Sequence, residues 1–143
     1  ICKEIEKTIS YLRARLSNKI SLEFEHPKDK IIVYLNNQLF SWSLENIIKN
    51  SIDSIKDGGK VKISIIEENE HLKIYISDNG IGIKQSLKNK IFNPGVTTKE
   101  RGWGLGLSLS KRIIEEYHKG EIKLIESIVG KGTKMLIKLK AVK

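Results

Sequence analysis

The sequence predicts a single globular α/β domain, and three observations predict it. Apolar residues alternate with a period of two at 20–24, 61–65, 72–76 and 133–140, as in half-buried strands. They recur every three or four residues at 1–18, 37–57 and about 105–117, as in helices. The 143 residues, 39% hydrophobic and 30% charged, suffice for one core, and no apolar run approaches the ~20 residues of a membrane span.

Each element has its own warrant. In residues 1–18, Cys2, Ile5, Ile9, Leu12 and Leu16 form a narrow seam with Lys, Glu and Arg elsewhere. Such a seam suits either a partner helix in a dimerising bundle or the chain's own domain. Ile20 to Phe24 alternates as a strand ended by His26-Pro27, and Ile31 to Leu35 reads as a second short one. Asn36 or Asn37 can cap the next helix, which the Asp57-Gly58-Gly59 turn ends. Its core face is Phe40, Leu44, Ile47, Ile48, Ser51 and Ile55. A hairpin follows, Val61, Ile63 and Ile65 alternating on one strand and Leu72, Ile74 and Ile76 on the other. Lys84 to Lys90 reads as a short helix. On the helix ending near Tyr117, Leu105, Leu109, Ile113 and Tyr117 are the expected buried face. A last hairpin joins 121–127 to 133–140 through the turn Val129-Gly130-Lys131-Gly132, with Met135, Ile137 and Leu139 inward.

The net charge of +9 raises nucleic acid as a partner, but the lysines are spread along the chain with no interleaved aromatics on which bases could stack. No nucleic-acid partner is expected. An acidic protein or a nucleotide polyphosphate would use the same positive potential. The single cysteine, Cys2, rules out an internal disulfide and fits a reducing compartment, so a cytoplasmic location is expected. The first residue is Ile1, which reads as a piece of a longer protein.

Chemistry concentrates in two places. Asn46, Asn50 and Asp53 fall at i, i+4 and i+7 on one stripe of the second helix, and asparagine is a poor helix interior residue. Continuing the parity of Leu72, Ile74 and Ile76 puts Asp78 on the inward side of its strand. A buried carboxylate is costly unless something donates hydrogen bonds to it, and an adenine amino group is such a donor. Gly80 and Gly82 then let backbone approach a flat ring closely. Thr97 to Arg101 looks like a lid carrying Lys99 and Arg101 for phosphate oxygens. Gly102, Gly104, Leu105 and Gly106 bring backbone N–H groups to a helix start, where anions are favoured. Thr133 shares the inward parity, either to help bind the base or as an ordinary β-branched strand residue.

In order, these segments resemble the boxes of sensor histidine kinases. Asn46-Ile-Ile-Lys-Asn50-Ser-Ile-Asp53 resembles the N box, Asp78-Asn-Gly80-Ile-Gly82 the first glycine box, and Phe92-Asn-Pro94 with Thr97-Thr98-Lys99 the F box. Gly102-Trp-Gly104-Leu-Gly106-Leu resembles the second glycine box and Gly130-Lys-Gly132-Thr133 the closing motif. The resemblance implies a Bergerat-type two-layer α/β (α+β) sandwich, a mixed sheet of about five strands with helices on one face. It implies that residues 1–18 end a dimerisation and phosphoacceptor helix, and that 19–143 form the catalytic and ATP-binding domain. It further implies ATP and Mg²⁺ as ligands. Asn50 would be the metal ligand, Asn46 would support it, Asp78 would read the adenine amino group, and Gly104 to Gly106 would cradle phosphates under Lys99 and Arg101. The implied partners are the upstream phosphoacceptor helices and an acidic response-regulator receiver domain. This chain would be a monomer and the full-length protein a homodimer, either free in the cytoplasm or membrane-anchored with this domain on the cytoplasmic side.

Two departures stand out. Many members carry Lys where Asp53 stands, leaving Lys56 or Lys99 to supply the cation. None of His26, His71 and His118 sits on a helix beside an acid, so the acceptor histidine is expected outside the chain. Alternatives within the superfold are an ATP hydrolase of the gyrase or mismatch-repair kind, a nucleotide-sensing module, and an anti-sigma-type serine kinase.

Overall fold

The computed structural model describes residues 1–95 and 106–142. Along the chain these form α1 (Cys2–Arg13), β1 (Ile20–Glu25), α2 (Asn37–Asp53), β2 (Gly59–Glu68) and β3 (His71–Asp78). Then come α3 (Gly106–Arg112), which runs into a π-helical turn (Ile113–Tyr117), β4 (Glu121–Ile128) and β5 (Gly132–Lys140). The five strands make one sheet in the order β1-β2-β3-β5-β4. The β1–β2 pair is parallel, which requires a crossover, and α2 supplies it; the other pairs are antiparallel. The sheet is therefore mixed.

Period two decides which face of the sheet is covered. Val61, Ile63 and Ile65 of β2 stand opposite Asp78, Ile76 and Ile74 of β3, and these in turn opposite Thr133, Met135 and Ile137 of β5. The aliphatic members of this set are buried against Phe40, Leu44, Ile47 and Ile48 of α2, the core face read from the sequence. The opposite parity carries Lys62, Ser64, Lys73, Tyr75, Lys134 and Lys138, with the Lys134 ammonium 4.8 Å from the Tyr75 ring centre. Helices thus lie on one face and lysines line the other.

α1 packs against α2 and β1, and Ile5, Ile9 and Leu12 of its seam are buried there. Burying three such side chains contributes roughly 5–9 kcal/mol before entropy is counted, so the helix is firmly docked. It ends at Arg13, short of 18: the Arg13 guanidinium bonds the Leu22 carbonyl of β1 at 3.0 Å through Nε, and the chain turns through Ala14 to Leu16.

Three further expectations change. Residues 31–35 do not join the sheet: Ile31 is buried and Ile32 accepts a 2.7 Å hydrogen bond from the Val142 N–H, a single tie rather than a ladder. α2 ends at Asp53, four residues before the glycine turn, because the Ser54 carbonyl is taken by the Ile81 N–H at 3.0 Å. On the helix after the glycine run, Leu109 and Tyr117 are exposed (40% and 64%), while Ser110, Ile113 and Ile114 are buried. A strict four-residue spacing drifts about 40° per step round a helix, so it cannot keep facing the core. The π turn, with the His118 N–H bonded to the Ile113 carbonyl, shifts the register again.

Candidate functional site

The site is organised by α2. Asn36 caps the helix, its side chain accepting from the Leu39 N–H at 3.0 Å. From there the polar stripe proceeds through Asn46 and Asn50 to Ser54, the C-terminal cap. These three residues are spaced i, i+4 and i+8, so they share a side of the helix and span about 12 Å along its axis.

At the upstream end of the stripe, Asn46 meets the first turn of α3. Its Nδ2 donates to Ser110 Oγ at 3.2 Å. A Cβ placed on Gly106 would lie 2.5 Å from Asn46 Oδ1, so only glycine lets the helix start come this close. The expected phosphate-side residues Asn46 and Gly106 are therefore in contact.

At the other end, Ser54 meets Asp78. The Ser54 hydroxyl lies 2.7 Å from the Ser51 carbonyl and 3.3 Å from Asp78 Oδ1. The Gly80 N–H donates to the same Oδ1 at 2.9 Å. Ser54 has one hydroxyl proton and the shorter contact gives it to the Ser51 carbonyl, so among the described residues the carboxylate accepts the Gly80 N–H at Oδ1 and no hydrogen bond at Oδ2. Gly80 packs on Ser54 so tightly that a Cβ would collide with it, and Gly82 has φ +77°, the left-handed region. The loop is pinned on three sides: Ile81 N–H to Ser54, Gly130 N–H to the Ile81 carbonyl at 2.8 Å, and Ile83 N–H to Ser127 Oγ at 2.8 Å.

Asp78 stands opposite Thr133 in the sheet, as its parity predicts, and Thr133 stands opposite Ser127 of β4, their hydroxyls 2.8 Å apart. A row of side chains able to accept or donate hydrogen bonds thus crosses three strands at the edge of the apolar core.

The other expected residues fall as follows. Asn50 is half-buried, one turn from Asn46, and Asp53 is exposed on the next turn. Among the described residues no group of His, Cys, Asp and Glu could hold a metal ion without further ligands. Lys99, Arg101, Gly102, Gly104 and Leu105 lie outside the described residues. The three histidines are engaged locally. His26 bonds the Pro27 carbonyl, His71 the Asn69 carbonyl, and His118 joins the Asn36 N–H (3.1 Å) to the Ile113 carbonyl (3.0 Å). That pair of bonds makes His118 Nδ1 the donor and Nε2 the acceptor.

Sequence reasoning missed Ser54, Ser110 and Ser127. Ser54 continues the Asn46–Asn50 spacing and was legible in it. Ser127 depends on the β4–β5 turn. The strands extend one pair further than expected, with Ile128 opposite Gly132, and Ser127 stands opposite Thr133, where the predicted ranges 121–127 and 133–140 meet. Ser110 carries no local signal.

Residues 38–143 match the family of histidine kinase-, DNA gyrase B-, and HSP90-like ATPases. The chain is 38% identical over 122 residues to sporulation kinase E of Bacillus subtilis (strain 168), covering 85% of this chain and 16% of that protein. It thus spans about a sixth of the length of this curated relative. Among solved structures, the catalytic domain of histidine kinase ThkA superposes with a TM-score of 0.86 at 27% identity, covering 98% of this chain and 91% of that one. ThkA in complex with response regulator protein TrrA gives a TM-score of 0.83 at 24% identity, covering 99% of this chain and 40% of that one, and there the likeness is one of fold. Among the described residues no helix is long and apolar enough to cross a membrane.

Proposed function

The chain belongs to the family of histidine kinase-, DNA gyrase B-, and HSP90-like ATPases, and from that premise we propose that it binds Mg-ATP and transfers the γ-phosphate to a histidine on a phosphoacceptor domain, in two-component signalling. The observation that carries this reading is the α2 stripe. It runs from the Gly106 helix start at Asn46 to the Asp78 carboxylate at Ser54, so one rigid element addresses both a phosphate end and a base end.

Asp78 Oδ2 accepts from the exocyclic amino group, and the pinned Gly80–Ile83 loop packs on the ring. Asn46 holds the start of α3 in place. Asn50 would supply an amide oxygen to Mg²⁺, a hard cation that takes oxygen ligands and is commonly shared between few protein groups and the phosphates. When bound, the ion would neutralise charge developing on phosphate oxygens. Lys99 and Arg101 are assigned to the same oxygens, Gly102, Gly104, Leu105 and Gly106 to the phosphate cradle, and Asp53 to the N box.

Phosphoryl transfer asks chiefly for positioning and charge neutralisation. A neutral imidazole is already a competent nucleophile, so the domain needs no strong base. The Asn46 amide cannot take a proton, and the neighbouring Glu45 carboxylate lies 2.7 Å from the Lys49 ammonium. Both features favour transfer to a side chain over hydrolysis. We assign residues 1–18 to the end of a phosphoacceptor segment, place the acceptor histidine upstream, and take an acidic receiver domain as the next acceptor; histidine kinase ThkA forms a complex with response regulator protein TrrA.

The test is to mix this chain with Mg-ATP and a separately made phosphoacceptor helix pair. Acid-labile, base-stable phosphohistidine on the helices is expected. ATP binding with no transfer would leave only a nucleotide sensor. Steady-state hydrolysis abolished by Glu45→Ala and untouched by Asn46→Glu would make it a hydrolase instead.

A further inference from the structure

We propose that Ser127 is a positioning residue for base recognition: it sets the direction of the Thr133 hydroxyl and thereby matches the pocket to adenine. The proposal rests on the nucleotide reading of Asp78 above.

Ser127 is buried (3% exposed) on β4, at the end of the row formed by Asp78 and Thr133. Its Oγ has three neighbours: the Ile83 N–H at 2.8 Å, Thr133 Oγ1 at 2.8 Å and the Gly132 carbonyl at 3.3 Å. The Ile83 N–H can only donate, so Ser127 accepts there. A serine hydroxyl has one proton to give. The contact to Thr133 sits at the usual O–H···O length, whereas the one to Gly132 is longer than that range. Either hydroxyl can donate in the 2.8 Å contact; we give the proton there to Ser127, because the other acceptor open to it, the Gly132 carbonyl, lies at the longer distance.

With Ser127 donating, Thr133 keeps its own proton for the space beside Asp78. The pocket then offers an acceptor, Asp78 Oδ2, next to a donor, Thr133 Oγ1. Adenine carries the complementary order, a donating amino group next to the accepting N1. Guanine carries the reverse, an accepting O6 next to a donating N1–H. If Thr133 instead spent its proton on Ser127, the ligand would face two acceptors and the match to N1 would be lost. Ser127 also holds the glycine loop through Ile83, so its removal has two consequences that the measurement must separate.

The experiment is calorimetry of the chain with Mg-ATP and with Mg-1-deaza-ATP, in which N1 is replaced by C–H. The wild-type chain is expected to prefer ATP by about fivefold, the worth of one ordinary hydrogen bond. Ser127→Ala is expected to weaken both ligands through Ile83 and to lower their ratio about twofold or more, because the Thr133 hydroxyl is no longer held toward N1. Ser127→Cys, which keeps the shape and replaces the hydroxyl with a weak donor, should do the same and serves if the alanine variant does not fold. Ser127→Thr should retain the wild-type ratio. A ratio that stays at the wild-type value in the alanine or cysteine variant, or a wild-type ratio of one, overturns the proposal. The nucleotide reading fails by a different signature: no ATP binding by the wild-type chain, or full ATP affinity in Asp78→Asn.

Discussion

Replacing Asp78 by Asn tests the base end of the site with a change of one heavy atom. In the folded chain Asp78 Oδ1 takes the Gly80 N–H at 2.9 Å, with the Ser54 hydroxyl 3.3 Å away. The Gly80 N–H can only donate, so an asparagine must turn its only oxygen toward it. Its NH₂ then occupies the position of Oδ2, where it meets the ligand's amino group donor to donor. One charge-assisted hydrogen bond, worth about 1.5–3 kcal/mol, is lost, which corresponds to about a 10- to 100-fold rise in Kd for ATP. The protein's own bonds survive in neutral form, so the domain should lose no more than about 1 kcal/mol and melt within about 2–4 °C of the wild type. Calorimetric titration with Mg-ATP measures the first number and a thermal melt the second. Purine riboside triphosphate, which lacks the amino group, is the control, and its affinity should change much less. Unchanged ATP affinity, or an equal loss for the amino-free analogue, would refute the assignment of Asp78 to the adenine amino group.

Further outcomes are expected elsewhere. Gly106→Ala puts a methyl 2.5 Å from the Asn46 amide, so α3 must shift off α2. Overpacking of this kind costs about 1–3 kcal/mol, and both the melting temperature and ATP affinity should fall. His118→Ala removes the link between the N-cap of α2 and the π turn, leaving the Asn36 N–H to water. A loss of about 1–2 kcal/mol is expected in urea titration, and a change below about 0.3 kcal/mol would deny the link any role in stability. Burial pushes the Cys2 thiol up. Less thiolate is present at pH 8 in the folded chain than in the unfolded one, so iodoacetamide should react several-fold more slowly before urea is added than after. The gap should close as pH rises through the folded value.

Much of this protein was legible from one dimension because two periods carry it. The alternation of Leu72, Ile74 and Ile76 led to Asp78 and placed it opposite Thr133, since side-chain direction in a strand is a matter of counting. The spacing of Phe40, Leu44, Ile47, Ile48 and Ser51 led to the buried face of α2 for the same reason. Order of motifs added the family. What counting could not reach were contacts between elements. Ser110 belongs to the site because α3 lies against α2, and nothing within a few residues of it says so. Leu109 and Tyr117 were misread because four-residue steps drift round α3 and the π turn after it changes the period itself.

By itself, then, the sequence determined the inward carboxylate, the asparagine stripe, the glycines beside them and the strands that present them, all of which follow from local periodicity and backbone stereochemistry. How those parts meet was settled by tertiary packing. It put Gly80 and Ser54 against Asp78, Asn46 against α3, and Ser127 between Thr133 and the Ile83 N–H. The physical reason is that hydrogen bonds between elements depend on register and helix docking to within a single residue, and those are set by how the whole apolar core packs.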